Sequence, residues 1–186
     1  MKYVALFRGI NVGGKSKVKM DVLRQLFQEL GFLQVKTYIQ SGNVVFESDL
    51  VETTLKVAIQ SKFTEQFGFE SNVVLRSLEE LTALIHQLPF STEEIAKAEA
   101  ADTDVEHLYI YFLDERPDQT QIDEINKVYE GPDMLRMGER ELYFLCYPSI
   151  RKSKLAIRMA KVFPLATVRN WNTVNKLYDI LKTLED

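Results

Sequence analysis

The chain has 186 residues, a net charge of −4, one cysteine and two histidines. Its 46% hydrophobic and 27% charged content is that of an ordinary globular protein. A single thiol excludes a disulfide framework or a cysteine-rich zinc site within the chain, and no stretch approaches the roughly 20 apolar residues of a membrane span.

Tyr3–Arg8 alternates and is rich in β-formers, which predicts a strand. Its apolar run is too short for a signal-peptide core, so we expect a cytoplasmic protein. Met20, Leu23, Leu26, Phe27 and Leu30 fall at helical spacing, with Gly31 as the stop. Val35–Gln40 and Asn43–Phe46 read as strands separated only by Ser41-Gly42, a tight hairpin signal. Asp49 with Glu52 reads as a capping arrangement for a helix striped by Leu55, Ala58, Ile59 and Phe63. Asn72–Arg76 is a further strand, and Ser77 with Glu80 forms a capping box for the next helix. The order β-α-β-β-α-β is the ferredoxin-like unit.

Leu88–Glu106 is acidic and Ala-rich, with Pro89 and a capping box at Ser91–Glu94, which predicts a linker containing a short helix. The order then repeats. His107–Leu113 is a strand, Ile122, Ile125 and Val128 mark a helix, and Met134–Met137 and Glu141–Cys146 are strands. Leu155, Met159, Val162 and Phe163 mark another helix, Ala166–Arg169 a last strand, and Val174–Leu184 a final helical stripe. We therefore expect an α+β protein of two tandem ferredoxin-like β-α-β-β-α-β units with mainly antiparallel sheets, related by structural duplication. The expected division is 1–87, a linker at 88–106, and 107–186.

Charge is unevenly placed. Residues 1–20 carry five basic and no acidic side chains, and residues 142–178 carry seven basic and none acidic. Two cationic segments thus stand in an otherwise acidic chain, a pattern that either attracts anions or forms solvated faces. Within the first, Gly9 to Ser16 matches the phosphate-loop pattern G-x-x-x-x-G-K-[ST]. A phosphate-loop hydrolase needs a parallel sheet and a helix opening at Gly-Lys-Ser. The hairpin at Ser41-Gly42 and the delayed apolar stripe contradict both.

Topology suggests another role. In a β-α-β-β-α-β unit the loop after the first strand and the hairpin between the second and third share one end. Arg8, Asn11, Gly13, Gly14 and Lys15 are thereby expected near Gln40, Ser41 and Asn43, where glycine N–H groups and cations suit an anion. The alternative is a connection in which the glycines only permit turns. In the second half, the loop holding Ser153 and Lys154 is expected beside Arg169 and Asn170, where a helix starting near Ser153 would point N–H groups towards an anion; the alternative is that Ser153 and Asn172 or Thr173 are plain helix caps. We expect the two clusters to face one cleft.

His86 and His107 lack catalytic or metal-binding partners at a telling spacing and read as structural. Cys146 reads as core. Tyr3, Phe7, Phe46, Tyr109, Tyr111 and Phe144 lie on central strands. Aromatics so placed stack bases in RNA-binding sheets, but Gly42–Phe46 falls short of the full RNA-binding signature, so we expect core packing or packing between the sheets of the two halves.

Arg8-Gly-Ile-Asn-Val-Gly-Gly-Lys15, Tyr38-Ile-Gln-Ser-Gly-Asn-Val-Val-Phe46 and Thr167-Val-Arg-Asn-Trp-Asn-Thr173 closely resemble the bacterial domain-of-unknown-function family 1697, over nearly the whole chain. The resemblance implies a bacterial, cytoplasmic protein with a duplicated ferredoxin-like fold and assigns no activity, substrate or cofactor.

The expected function is binding of an anionic, phosphate-bearing ligand, with no cofactor, metal or membrane partner. Arg8, Lys15, Lys154 and Arg169 would supply charge. Asn11, Gln40, Ser41, Asn43, Ser153 and Asn170 would supply hydrogen bonds. The alternatives are binding of RNA or single-stranded DNA, a small enzyme acting on a phosphorylated or nucleotide substrate, and an interaction module. The sequence does not specify an oligomeric state.

Overall fold

The structure, a computed structural model, describes residues 1–184. Its elements are β1 (Lys2–Phe7), α1 (Met20–Glu29), β2 (Leu33–Tyr38), β3 (Asn43–Glu47), α2 (Glu52–Phe67), β4 (Val73–Ser77) and α3 (Leu78–His86). They continue with α4 (Thr92–Ala101), β5 (Leu108–Phe112), α5 (Gln119–Val128), β6 (Met134–Met137), β7 (Glu141–Leu145), α6 (Lys154–Val162), β8 (Thr167–Asn170) and α7 (Trp171–Lys182). Two four-stranded sheets form, in the orders β2-β3-β1-β4 and β6-β7-β5-β8, with every pairing antiparallel. The equivalence of the two orders, strand for strand, makes this an α+β protein of two tandem ferredoxin-like units. The chain divides into two compact units, Met1–Ile85 with the chain from Asn175 onward, and His86–Val174.

Side-chain alternation builds the first core. Tyr3, Ala5 and Phe7 of β1, Val44 and Phe46 of β3 and Leu75 of β4 face Leu23 and Phe27 of α1 and Leu55, Ile59 and Phe63 of α2. Phe7 lies 5.0 Å from Phe63, centroid to centroid, and Phe27 meets Phe46 edge-on at 5.1 Å. Such pairs add about 0.5–1.5 kcal/mol each beyond the area they bury. Val4, Leu6, Val45 and Val74, which point to the other face, are buried as well. β1 is therefore covered on both faces, and the alternation expected of Tyr3–Arg8 does not separate a buried face from an exposed one. The second core repeats the pattern, with Tyr111, Leu142, Phe144 and Cys146 against Ile122, Ile125, Leu155 and Met159.

Local sequence sets most element ends. Both capping boxes form. Glu80 N–H donates to Ser77 Oγ and Ser77 N–H to Glu80 Oε2, and Ser91 and Glu94 exchange the same pair of bonds. Gly31 follows α1 at φ +82°. The expected cap at Asp49 does not form. α2 starts at Glu52 with Val51 at the N-cap and no side-chain cap bond, which leaves Asp49 outside the helix. The β2–β3 hairpin is also longer than Ser41-Gly42 suggests. Tyr38 pairs with Asn43 across a loop of Ile39, Gln40, Ser41 and Gly42, with Ile39 at φ +48° and Gly42 at φ +84°.

Candidate functional site

β1 ends at Phe7, β3 starts at Asn43 and β4 starts at Val73, so three connections meet at one end of the first sheet. The connection after β1 is the glycine loop. Its entry is pinned by backbone: Arg8 N–H donates to Asn72 O at 3.0 Å, and Ser71 Oγ–H donates to Arg8 O at 2.9 Å. Ile10 and Val18 anchor its two flanks in the core. Between them Val12-Gly13-Gly14-Lys15 makes a two-residue turn, closed by Lys15 N–H to Val12 O at 3.2 Å. Gly13 and Gly14 have φ of +60° and +73°, the sign pattern of a type I′ turn.

Asn11 holds the loop together. At φ +54° it occupies the left-handed region that asparagine tolerates. Its Nδ2 donates to Gln40 O at 2.8 Å and to Val18 O at 2.9 Å, and its Oδ1 accepts from Val18 N–H at 2.7 Å. The side chain thus ties the loop to itself and to the β2–β3 hairpin. Gly42 completes the junction, with its carbonyl accepting from Phe7 N–H at 2.9 Å. A Cβ at Gly42 would stand 2.9 Å from both Phe7 Cβ and Ile10 Cγ1, so only glycine fits. Asn43 is fully buried and closes its own hairpin through Nδ2 to Tyr38 O and Ser41 Oγ, both at 2.9 Å.

The structure therefore brings the glycine loop and the Gln40–Asn43 hairpin together, and it gives the amides of Asn11 and Asn43 structural partners. The cations have none. Arg8, Lys15, Lys17 and Lys19 are exposed and make no ion pair with a described residue. Gly13 and Gly14 are exposed, and their N–H groups make no hydrogen bond with a described residue. Gln40 is exposed beside them.

The phosphate-loop match has no structural counterpart. The sheet is antiparallel, Gly14-Lys15 sits in a turn, and α1 opens at Met20 with Lys19 at its N-cap. The equivalent connection of the second unit, after β5, is acidic instead: Asp114, Glu115 and Asp118 lie there, and Arg116 pairs with Glu139 at 3.5 Å. The glycine loop was not duplicated with the fold.

In the second unit the residues around Ser153 and Arg169 gather at the opposite end of the repeat, beyond the start of β5 and the end of β7. Ser153 is fully buried. Its Oγ accepts from Ala156 N–H at 3.0 Å as the N-cap of α6 and donates to Asp133 Oδ2 at 2.6 Å. Asp133, which nothing in the sequence singled out, also accepts from Tyr147 N–H at 2.9 Å and so fastens the loop before α6. Asn170, not Asn172 or Thr173, caps α7 by accepting from Thr173 N–H at 2.8 Å. Arg169 is buried, and its Nη1 donates to the carbonyl of Val168 at 2.9 Å. Arg76, its equivalent, donates in the same way to Leu75 O at 2.8 Å. Burial lowers the Arg169 pKa to about 10. Lys154 is exposed, as are Arg151, Lys152 and Arg158.

Most of the remaining candidates are packed. Tyr3, Phe7, Phe46, Tyr111 and Phe144 lie in the two cores, leaving Tyr109 half-buried and no open aromatic platform on these strands. Burial pushes the Cys146 thiol up to about 12, and the nearby Asp133 charge adds to the shift. His107 is buried with each ring nitrogen 2.6 Å from a carbonyl oxygen, of Cys146 and of Asp102, and His86 is exposed. Among the described residues no group of His, Cys, Asp and Glu could hold a metal, and no helix is long and apolar enough to cross a membrane.

Fold and site define a tandem ferredoxin-like α+β protein with a hydrogen-bonded, cationic glycine loop on one of its two units. The chain belongs to the family of proteins of unknown function DUF1697, which matches residues 1–143. That stretch includes Arg8–Lys15 and Tyr38–Phe46, whereas Thr167–Thr173 lies beyond it. The conserved bacterial protein SP0830 from Streptococcus pneumoniae has a similar structure, with a TM-score of 0.77, 28% identity and 98% of each chain covered. No curated protein matches.

Proposed function

We propose that the first unit binds a phosphate-bearing anion at the glycine loop. One observation supports this reading: Arg8, Lys15, Lys17 and Lys19 are exposed on and beside a loop braced by the Asn11 hydrogen bonds, and none is neutralised by a described carboxylate. Exposed N–H groups at Gly13 and Gly14 add donors that need no side-chain ordering. A loop fixed before binding loses little entropy when a ligand arrives. Asn11, Ser41 and Asn43 shape the site instead of touching the ligand. Ser153, Arg169 and Asn170 are left out of it, since each has a structural hydrogen bond of its own.

A thermal-shift screen of nucleotides and phosphorylated metabolites tests the reading. A ligand at 100 times its dissociation constant adds about 2.7 kcal/mol of stability. The shift should vanish in an Arg8→Ala/Lys15→Ala variant, and a shift that survives there sinks the proposal. A single-stranded nucleic acid is the competing ligand, favoured by the exposed cations of the second unit. It would show a steep salt dependence of binding, about 0.7 in log–log slope for each phosphate contacted.

A further inference from the structure

The second unit contains a cavity of about 530 Å³, bounded by the end of α4, the linker into β5 and the start of α7. That volume is in the range of small-molecule sites. Ile95, Leu108 and Trp171 are among its lining residues and supply apolar surface. Glu99, Asp102 and Glu106 also line it, and none of the three makes an ion pair with a described residue. No Lys or Arg is among its described lining residues.

Hydrogen bonds brace the elements that carry the walls, while Glu99, Asp102 and Glu106 are themselves exposed. α4 carries its Ser91–Glu94 capping box, and Arg136 grips Glu94 through Nη2–Oε1 at 2.6 Å and Nη1–Oε2 at 2.9 Å. His107 stands between the carbonyl oxygens of Asp102 and Cys146, with one ring nitrogen 2.6 Å from each, which places the linker beside the end of β7. Asn172 Nδ2 donates to Glu106 Oε1 at 2.9 Å and orients that carboxylate. The acids do not converge closely enough for a metal ion, since no metal-holding group occurs among the described residues.

We propose that this cavity binds a small organic cation, an amine or guanidine whose apolar body lies against Trp171 and whose charge is met by Glu99, Asp102 and Glu106. An indole face attracts a cation at close range, and burying an alkyl body beside it adds hydrophobic contact. The carboxylates choose the sign of the ligand, and the apolar walls favour an organic cation over a hydrated metal ion.

Trp171 is the chain's one tryptophan and lines this cavity, so tryptophan fluorescence comes from its wall. Wild-type protein is titrated with hexamethylenediamine, spermidine, hexanediol and magnesium chloride at constant ionic strength. The expected result is a saturable change with the two amines, none with the diol, and a dissociation constant raised about fivefold by Glu99→Gln and by Glu106→Gln. The proposal is overturned by no saturable response up to about 1 mM amine, by an equal response to the diol or to magnesium, or by unchanged amine affinity in both glutamine variants. Should either variant unfold, the comparison of diamine with diol on the wild type decides.

Discussion

Replacing Asn11 should open the glycine loop, and the cost can be worked from its bonds. The side chain makes three hydrogen bonds, at 2.7, 2.8 and 2.9 Å, from a half-buried position. At about 0.5–1.5 kcal/mol net for each, and with water replacing part of the loss, Asn11→Ala forfeits about 1–3 kcal/mol. The φ of +54° adds about 1 kcal/mol, because alanine resists the left-handed region. Asn11→Gly loses the same bonds without that strain and should be about 1 kcal/mol less harmful than Asn11→Ala. Asn11→Asp keeps the acceptor for Val18 N–H but turns a carboxylate towards the carbonyls of Val18 and Gln40, so it should match or exceed the alanine loss. Urea denaturation gives the order, and amide exchange at Val18 gives the location, with protection there falling about tenfold or more in all but the aspartate variant. An alanine variant within about 0.5 kcal/mol of wild type, or full protection at Val18, would refute the role given to Asn11.

Other outcomes follow from single contacts. Gly42→Ala meets Phe7 and Ile10 at φ +84° and should cost about 2–4 kcal/mol in denaturant unfolding. Ser153→Ala removes both the α6 cap and the donor to Asp133, and should lower stability by about 1–3 kcal/mol; Ser153→Thr should recover part of that loss. Cys146, buried and with its thiol pushed up to about 12, should react with a thiol reagent at neutral pH only after denaturation. The Arg136 hydrogen bonds hold the Glu94 carboxyl down to about 2. Its folded value lies below its unfolded one, so its stabilising effect is complete above about 4.3 and is lost as pH falls from there through about 2. Wild type and Glu94→Gln should accordingly differ in thermal stability at pH 6 and converge towards pH 2.

Much of the fold was legible because periodicity, capping boxes and punctuation agreed. All five prolines fall between elements, and Ser77–Glu80 and Ser91–Glu94 mark helix starts at the residues where they form. Topology alone also placed the glycine loop beside the Gln40–Asn43 hairpin. Long-range choices were not legible. The sequence offers Asn11 as a hydrogen-bond donor to a ligand and cannot show that its amide reaches Gln40 O, 29 residues away. Arg76 and Arg169 ended strands at matching positions, yet only the structure shows both guanidinium groups bent back onto the preceding carbonyl inside the protein. Asp133 carried no signal, since its role depends on Tyr147 and Ser153 folding back towards it. The acids of the second unit's cavity look like linker composition in the sequence, and only the fold places them in one lining with Trp171.

The central claim is that the glycine loop holds a phosphate-bearing anion, and backbone amide NMR during titration with inorganic phosphate and adenosine monophosphate tests it most directly. The account predicts saturable shifts concentrated at Gly13, Gly14 and Lys15, lost in Arg8→Ala/Lys15→Ala while the Val18 amide keeps its wild-type position. Shifts scattered over the surface, centred outside residues 8–19, or unchanged in the double variant would contradict it.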